Sequence, residues 1–474
     1  MNWNDILLMR HELQLLAVIL ILTGAEIYYS GRDKRPVIVL AIALFGLHGL
    51  SMILPAGDGT LFGGMFRTTG LIHFFKNVLD MGVFVVLLQT AGWARKQLAA
   101  EQRATEFYLL LFSSLLGIYY MISAGDLLML FLGLELSTLP VAALAAYEVA
   151  RMRSAESGIK LILTAGLASA VTLMGISYLY GVTGTFSLPE LAQRLGGTGM
   201  ETLGFIFFFA GLAFKISLAP FHFWTPDVYE GAPTGVAAYL SVISKGAAVF
   251  ILMVVLMGFS QAVSELWIGI LYLISILTMT IGNLFALRQQ NLKRLLAFSS
   301  VAQAGFILLG FLAADQGGRA SVVYFILVYI FSNLAAFGVV QAISSHTGRE
   351  HLSDYEGLYR TNPRLALVML LAMFSLAGIP PLAGFFGKFF LFMSVASAGF
   401  YALLLIAVLN TVISLYYYLL VVRAMFLRRS ETALPYMAGD GWMQASLIVC
   451  VAGILVLGVS SGVYNYIYDL CAIL

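Results

Sequence analysis

Two stretches decide how this chain is built: LAFKISLAPFHFWTPDVYEGAPT, residues 212–234, and SLAGIPPLAGFFGKFFLF, residues 375–392. Each is an apolar run interrupted by proline, with one lysine close to the interruption. Lys215 precedes Pro220 by five residues, and Lys388 follows Pro381 by seven. Proline removes a backbone donor and clashes with the preceding helical turn. Each stretch therefore predicts two half-helices joined by a non-helical break, at Pro220 in the first and at Pro380 and Pro381 in the second.

The surroundings decide the solvent. The chain has 474 residues, of which 61% are hydrophobic and 11% charged. Soluble domains carry about 25% charged residues, so this composition leaves too little polar surface to face water. The chain is read as an all-α integral membrane protein. A formal net charge of +2 offers no field for nucleic acid or for an acidic partner. The two cysteines, Cys450 and Cys471, lack metal-ligand spacing and read as small apolar fillers. Neither a metal site nor an iron–sulfur cluster is expected on this chain.

A spanning helix needs about 20 mostly apolar residues. Cutting at charged and Pro/Gly-rich breaks gives fourteen spans, near 13–30, 36–55, 72–94, 106–123, 126–148, 157–181, 202–225, 235–258, 264–286, 294–314, 320–345, 364–398, 400–427 and 441–468. The first has no A-x-A-like site after it and reads as a mature helix, not a cleaved signal. The segment from Val182 to Glu201 reads as a loop with a possible short hairpin. Charge tests the map. Odd-numbered connections carry seventeen basic residues and even-numbered ones three. By the positive-inside rule the odd connections are cytoplasmic and both termini lie outside.

Spans seven and twelve are both proline-broken and both carry a lysine. Their separation is five helices, an odd number, so a five-helix unit copied in tandem would insert upside down. The expected organisation is an N-terminal three-helix segment (1–105), a first five-helix repeat (106–258), a second, inverted repeat (259–427) and a final helix (428–474). Broken helices inside inverted repeats recur in secondary transporters, where the break offers backbone groups to ions or water.

Five basic residues fall inside spans: Lys76, Lys160, Lys215, Lys245 and Lys388. A lysine at the bilayer centre costs about 2.5–3.5 kcal/mol, so such residues normally face a hydrated interior and mark an ion path. Glu135, in GLELSTLP (133–140), is the one acid near mid-depth in spans four to eight. Glu135, Lys215, Lys245 and Lys388 are the candidate proton path. A structural ion pair would account for Glu135 with one lysine, but leaves Lys245 and Lys388 without a carboxylate. Asn410, Ser414 and Tyr417 share a helix face, as do Ser299 with Gln303 and Tyr329 with Asn333. These are candidate water-lining groups or, equally, interhelical hydrogen bonds. His222 suits a proton relay by its ordinary pKa of about 6.5, or is an interfacial ring beside Phe221, Phe223 and Trp224. Lys160 either snorkels to the surface or serves a proton entrance. The i, i+4 pairs Lys76/Asp80 and Glu156/Lys160 read as local salt bridges.

The stretches GLELSTLP, LAFKISLAPFHFWTPDVYEGAPT, SKGAAVF (244–250), NLKRLLAFSSVAQAGF (291–306) and SLAGIPPLAGFFGKFFLF resemble the antiporter-like membrane subunits of respiratory complex I, which are related to multisubunit cation/proton antiporters. The resemblance runs from span five to span twelve. It implies fourteen helices, inverted repeats at 4–8 and 9–13, and broken helices seven and twelve. It also implies a glutamate–lysine pair matching Glu135 and Lys215, a central lysine matching Lys245 and a terminal one matching Lys388. Lys388 argues against the M branch of that family, which has glutamate there. The chain stopping after span fourteen argues against the L branch, so the N branch is expected. Many relatives have histidine where this chain has Gln303, so a protonatable relay is not carried over. The implied activity is proton translocation in an inner-membrane NADH:quinone oxidoreductase. Other membrane-arm subunits are the implied partners, with flavin, iron–sulfur clusters and quinone on partner subunits and no redox chemistry here. A free-standing antiporter subunit, a membrane-hydrogenase subunit and a scaffold that moves no protons stay open.

Overall fold

The computed structural model describes residues 7–54, 57–258, 264–428, 434–437 and 439–472. Among them, twelve helices are long and apolar enough to cross a membrane, and three shorter apolar helices accompany them. Arg35–Ser51 supplies span two, and Pro363–Ala377 with Ala383–Ser397 supplies the broken span twelve. Every sequence span coincides with one of these helices or, for span twelve, with the pair. The expected segment boundary at 258/259 falls against residues 259–263, which lie outside the described residues; so do 429–433, just past the boundary at 427/428.

Contacts between connections follow the charge parity. Lys34 in connection one donates to the Gln102 carbonyl in connection three (2.6 Å), and Tyr147 in connection five donates to Arg103 O (2.7 Å). On the other face, the Arg67 amide donates to Ser123 O (2.8 Å), joining connections two and four. Gln316 in connection ten reaches Tyr468 O near the C-terminus (2.8 Å). Odd connections thus meet odd ones and even meet even, as alternating spans require.

Span seven is the helix Gly199–Ile216, an irregular turn, and the short helix Trp224–Gly231. The first half ends with Ser217 in the left-handed conformation (φ 67°). The second half extends beyond the expected end near 225, because Pro226 sits in the first turn, where a missing donor costs nothing. Span eight runs from Thr234 to Gly258 and contains a π-helical turn at Leu240–Ser244, directly before Lys245.

Glycines set the closest helix approaches. A Cβ on Gly117 of span four would stand 2.4 Å from the Ser137 amide of span five. Spans nine and ten repeat the device, where a Cβ on Gly282 would lie 2.6 Å from the Ala302 amide. Between membrane helices, small residues of this kind let backbones touch and dispersion do the packing.

Several expectations are corrected. The segment 182–201 holds the helix Leu188–Arg194, whereas the antiparallel hairpin lies elsewhere, at Gly59–Leu61 with Phe66–Thr68. Span fourteen is two helices, Gly441–Val459 and Ser461–Leu470, separated at Ser460. Lys76 and Asp80 do not pair with each other. Lys76 donates to Glu12 of span one and to Ser123 (2.7 Å), and Asp80 accepts from Tyr119 and lies 3.6 Å from His48. Partners on neighbouring helices hold both groups in place of the i, i+4 contact. Two lysines assigned to connections are buried: Lys34 against Glu26 (2.5 Å) and Lys293 against Glu350 (3.3 Å).

Candidate functional site

The three mid-span lysines are buried, with relative exposures of 8% for Lys215, 2% for Lys245 and 4% for Lys388. None makes an ion pair within 4 Å among the described residues. Each ammonium is held by neutral oxygens.

Lys215 lies in the last turn of the first half of span seven. Its Nζ donates to Ser137 Oγ (2.8 Å) and Thr138 Oγ1 (2.5 Å) on span five. Both hydroxyls in turn donate to Leu134 O. The expected partner, Glu135, is on the same span but not in contact: it is half-buried and accepts from Ser169 of span six. The glutamate–lysine pair is therefore a proximity, each group held by its own hydroxyls, and not a salt bridge. A lysine in a helix's last turn also meets the negative end of that helix.

Lys245 follows the π-helical turn and donates to the Ser300 hydroxyl (2.6 Å) and carbonyl (3.1 Å) on span ten. A π turn widens the helix and leaves carbonyls and side chains displaced, and it is frequent at working sites. Ser241, inside that turn, accepts from Asn333 Nδ2 (2.6 Å). Tyr239 just before it shares a hydrogen bond with Ser114 (3.1 Å), and Ser114 donates to Ser137 O (2.8 Å). Polar groups thus continue from the Lys215 site toward the Lys245 site.

Lys388 lies in the second half of span twelve and reaches back across the break. Its Nζ donates to Leu376 O (2.9 Å) and Ala377 O (3.2 Å), the last carbonyls of the first half, and sits 4.8 Å from the Phe306 ring centroid. Helix ends leave such carbonyls without intrahelical donors, and they carry the negative end of the helix dipole. Gly378 turns the chain there with φ 87°. Gly384 packs so tightly on the break that a Cβ would stand 1.7 Å from Ser375 O.

Gln303 connects the last two sites. Its Nε2 donates to the same Leu376 O that holds Lys388 (3.2 Å) and to Tyr418 (3.2 Å), and Ser299 shares a hydrogen bond with Tyr418 (2.6 Å). A cavity of about 10 Å³ lies among Lys245, Ser241, Ser300, Gln303 and Tyr329. A second of about 10 Å³ lies among Gln303, Tyr329, Ser332, Ser375 and Lys388. Each has room for roughly one water. Gln303 Oε1, the Tyr329 hydroxyl and Asn333 Oδ1 are buried without a hydrogen-bond partner among the described residues.

Other sequence candidates fall outside this row. Asn410 and Tyr417 close on Asn283 of span nine (3.0–3.1 Å), and Ser414 donates to Thr411 O of its own helix. The neighbour Tyr418, not Tyr417, faces Gln303. His222 is buried in the break of span seven, its ring stacked on Phe223 at 4.5 Å, with Nδ1 unpartnered among the described residues. Lys160 pairs with Glu156 (2.6 Å) as expected, and also with Asp227 (2.7 Å). Asp227 and Glu230 both hold Arg294 (2.7 and 2.9 Å), which ties spans six, seven and ten at the basic-rich face. Sequence reading missed Ser137, Thr138, Ser300, Tyr239 and Tyr418. The signal available was a hydroxyl inside an apolar run, which marks interhelical bonding without naming the partner.

A fold with two broken helices, each placing a buried lysine amine against uncharged oxygens, is that of the antiporter-like class of membrane subunits. Residues 124–414 match the family described as NADH:quinone oxidoreductase/Mrp antiporter, transmembrane. The chain belongs to that family. It is 48% identical over 470 residues to an NADH-quinone oxidoreductase subunit N of Phocaeicola vulgatus, covering 99% of each chain. A chain of respiratory complex I from Thermus thermophilus superposes with a TM-score of 0.79 at 32% identity, over 94% of this chain and 96% of that one. A chain of the Mrp complex from Dietzia sp. DQ12-45-1b shares the fold, with a TM-score of 0.85 at 21% identity over 100% and 97%.

Proposed function

We propose that this chain is an N-type membrane subunit of a proton-pumping NADH:quinone oxidoreductase and carries one of its proton paths. The observation that carries the reading is the row of three buried ammonium groups held by oxygens that bear no formal charge, with polar side chains and water-sized cavities between them. A lysine bound in this way gives up its proton without having to break an ion pair. Protons enter near Glu135 and Lys215, pass by Ser114, Tyr239 and water to Lys245, and reach Lys388 past Gln303 and Tyr329. Lys160 with Asp227 is the proposed approach from the basic-rich face, and His222 a proposed relay beside it. Ser299 lines the row through Tyr418. Asn333 lines it through Ser241; Asn410 and Tyr417 tie span thirteen to Asn283 of span nine, and Ser414 bonds within its own helix, so these three stand beside the path.

Electron transfer belongs to partner subunits holding flavin, iron–sulfur clusters and quinone; this chain contributes no redox step. A partner that moves or charges near half-buried Glu135 changes the electrostatic field at Lys215. Driving one charge against 100 mV takes about 2.3 kcal/mol, and one pKa unit corresponds to about 1.36 kcal/mol, so a shift of about two units suffices. The proposed organisation is the three-helix segment 1–105, inverted repeats at 106–258 and 259–427, and the last helix from 428. The odd connections and their basic residues lie in the cytoplasm and both termini outside. Identity to a complex I chain (32%) above that to an Mrp chain (21%) favours the redox-driven complex over a free-standing antiporter.

The test is Lys215→Ala in the intact complex, reading proton uptake into vesicles alongside NADH:quinone electron transfer. Pumping per electron falls about tenfold or more, while the complex still assembles. Wild-type pumping in that variant would overturn the proposal.

A further inference from the structure

A groove of about 1180 Å³ opens beside spans three, eleven, twelve and fourteen, well away from the lysine row. It is larger than the 300–1,000 Å³ usual for small-molecule pockets. Its wall is apolar, with Leu371 of span twelve and Met443, Leu447 and Val451 of span fourteen. Its lip carries exposed Leu367, Ile448 and Leu455 (46%, 68% and 45%), so it opens toward hydrocarbon.

The polar groups gather at one end. Arg95, Lys96 and His346 sit there with Arg364 at the start of span twelve. Among the described lining residues Asp440 is the one acid, and its carboxylate packs on Gly92. Arg95 lies 5.8 Å over the Trp442 ring, Lys96 is 3.1 Å from His346, and no ion pair within 4 Å engages Arg95, Lys96 or Arg364 among the described residues. From Gly441 at the basic end to Leu455 is fourteen residues, about 21 Å at 1.5 Å per residue. One leaflet of a hydrocarbon core is about 15 Å deep. The groove therefore pairs a cationic mouth with an apolar trough long enough to span one leaflet.

We propose that this groove is a binding site for an anionic diacyl phospholipid. The guanidinium groups of Arg95 and Arg364 and the Lys96 ammonium hold the phosphate, and Trp442 sits beside it at the interface. The acyl chains lie along Leu371, Leu447 and Val451. Arginine's planar fork suits bidentate phosphate contacts, and basic pockets between membrane helices on the cytoplasmic side take anionic headgroups. The site does not depend on the proton path.

The experiment places a photoreactive p-benzoylphenylalanine at Leu371 in the intact complex. The complex is reconstituted in vesicles of one part phosphatidylglycerol to four parts phosphatidylethanolamine, illuminated, and its adducts weighed by mass spectrometry. The expected adduct is phospholipid, with phosphatidylglycerol enriched above its share of the vesicle. That enrichment falls about fivefold for each of Arg95→Ala and Arg364→Ala, while proton pumping persists. Arg364 is exposed and Arg95 half-buried, and neither is in an ion pair within 4 Å among the described residues, so the fold does not rest on either charge. An adduct with a polypeptide or a quinone, or lipid adducts that mirror the vesicle's composition, would overturn the proposal.

Discussion

The two broken helices solve the same problem with different chemistry. In span seven the ammonium belongs to the first half-helix, and hydroxyls of span five take it, with Glu135 close by but held by Ser169. In span twelve the ammonium belongs to the second half-helix and reaches back to two carbonyls freed by the break. The first site is exposed to a carboxylate whose field a neighbour can alter. The second is fixed by backbone dipoles, which no neighbour removes. Two breaks at corresponding places in the chain therefore make one tunable site and one fixed site.

That contrast is open to attack, the largest effect first. Lys388→Ala removes the lysine charge from the fixed site, and pumping per electron is expected to fall about tenfold or more; unchanged proton uptake by the reconstituted variant would erase the terminal site. Glu135→Gln keeps an acceptor for Ser169 and removes the charge. A hydrogen-bonded or neighbouring charge is worth about 1.5–3 kcal/mol, so pumping is expected to drop about tenfold while assembly on native gels is normal. A silent Glu135→Gln would make the two breaks equivalent after all. Gln303→Leu loses neutral hydrogen bonds of about 1 kcal/mol and closes the way between the two cavities. Roughly a fivefold slowing of proton transfer is the expected result, measured under a voltage step with electron transfer intact. Ser414→Ala touches only its own helix, and pumping is expected to stay within about twofold of wild type.

Much of this was legible in the sequence because membrane physics is nearly one-dimensional. A lipid-facing backbone must close its own hydrogen bonds, so the apolar spans and the two proline breaks follow from local composition. Lys215, Lys245 and Lys388 were conspicuous for the same reason: a charge in an apolar run has a cost that demands an interior. The stripe Asn410–Ser414–Tyr417 was visible as a stripe, yet its partner, Asn283 of span nine, lies more than a hundred residues earlier. Lys76/Asp80 failed because i, i+4 spacing permits a contact without excluding better ones from other helices. The π turn before Lys245 carries no proline or glycine inside it and left no trace in the sequence.

The sequence by itself determined that the chain crosses a membrane, that spans seven and twelve break at their prolines, and which residues bear charge at depth. Tertiary structure alone decided what each charge touches: hydroxyls at Lys215, Ser300 at Lys245, the ends of a half-helix at Lys388. Insertion is decided segment by segment against lipid, whereas a buried ammonium takes whichever oxygens the packing of several helices brings within 3 Å.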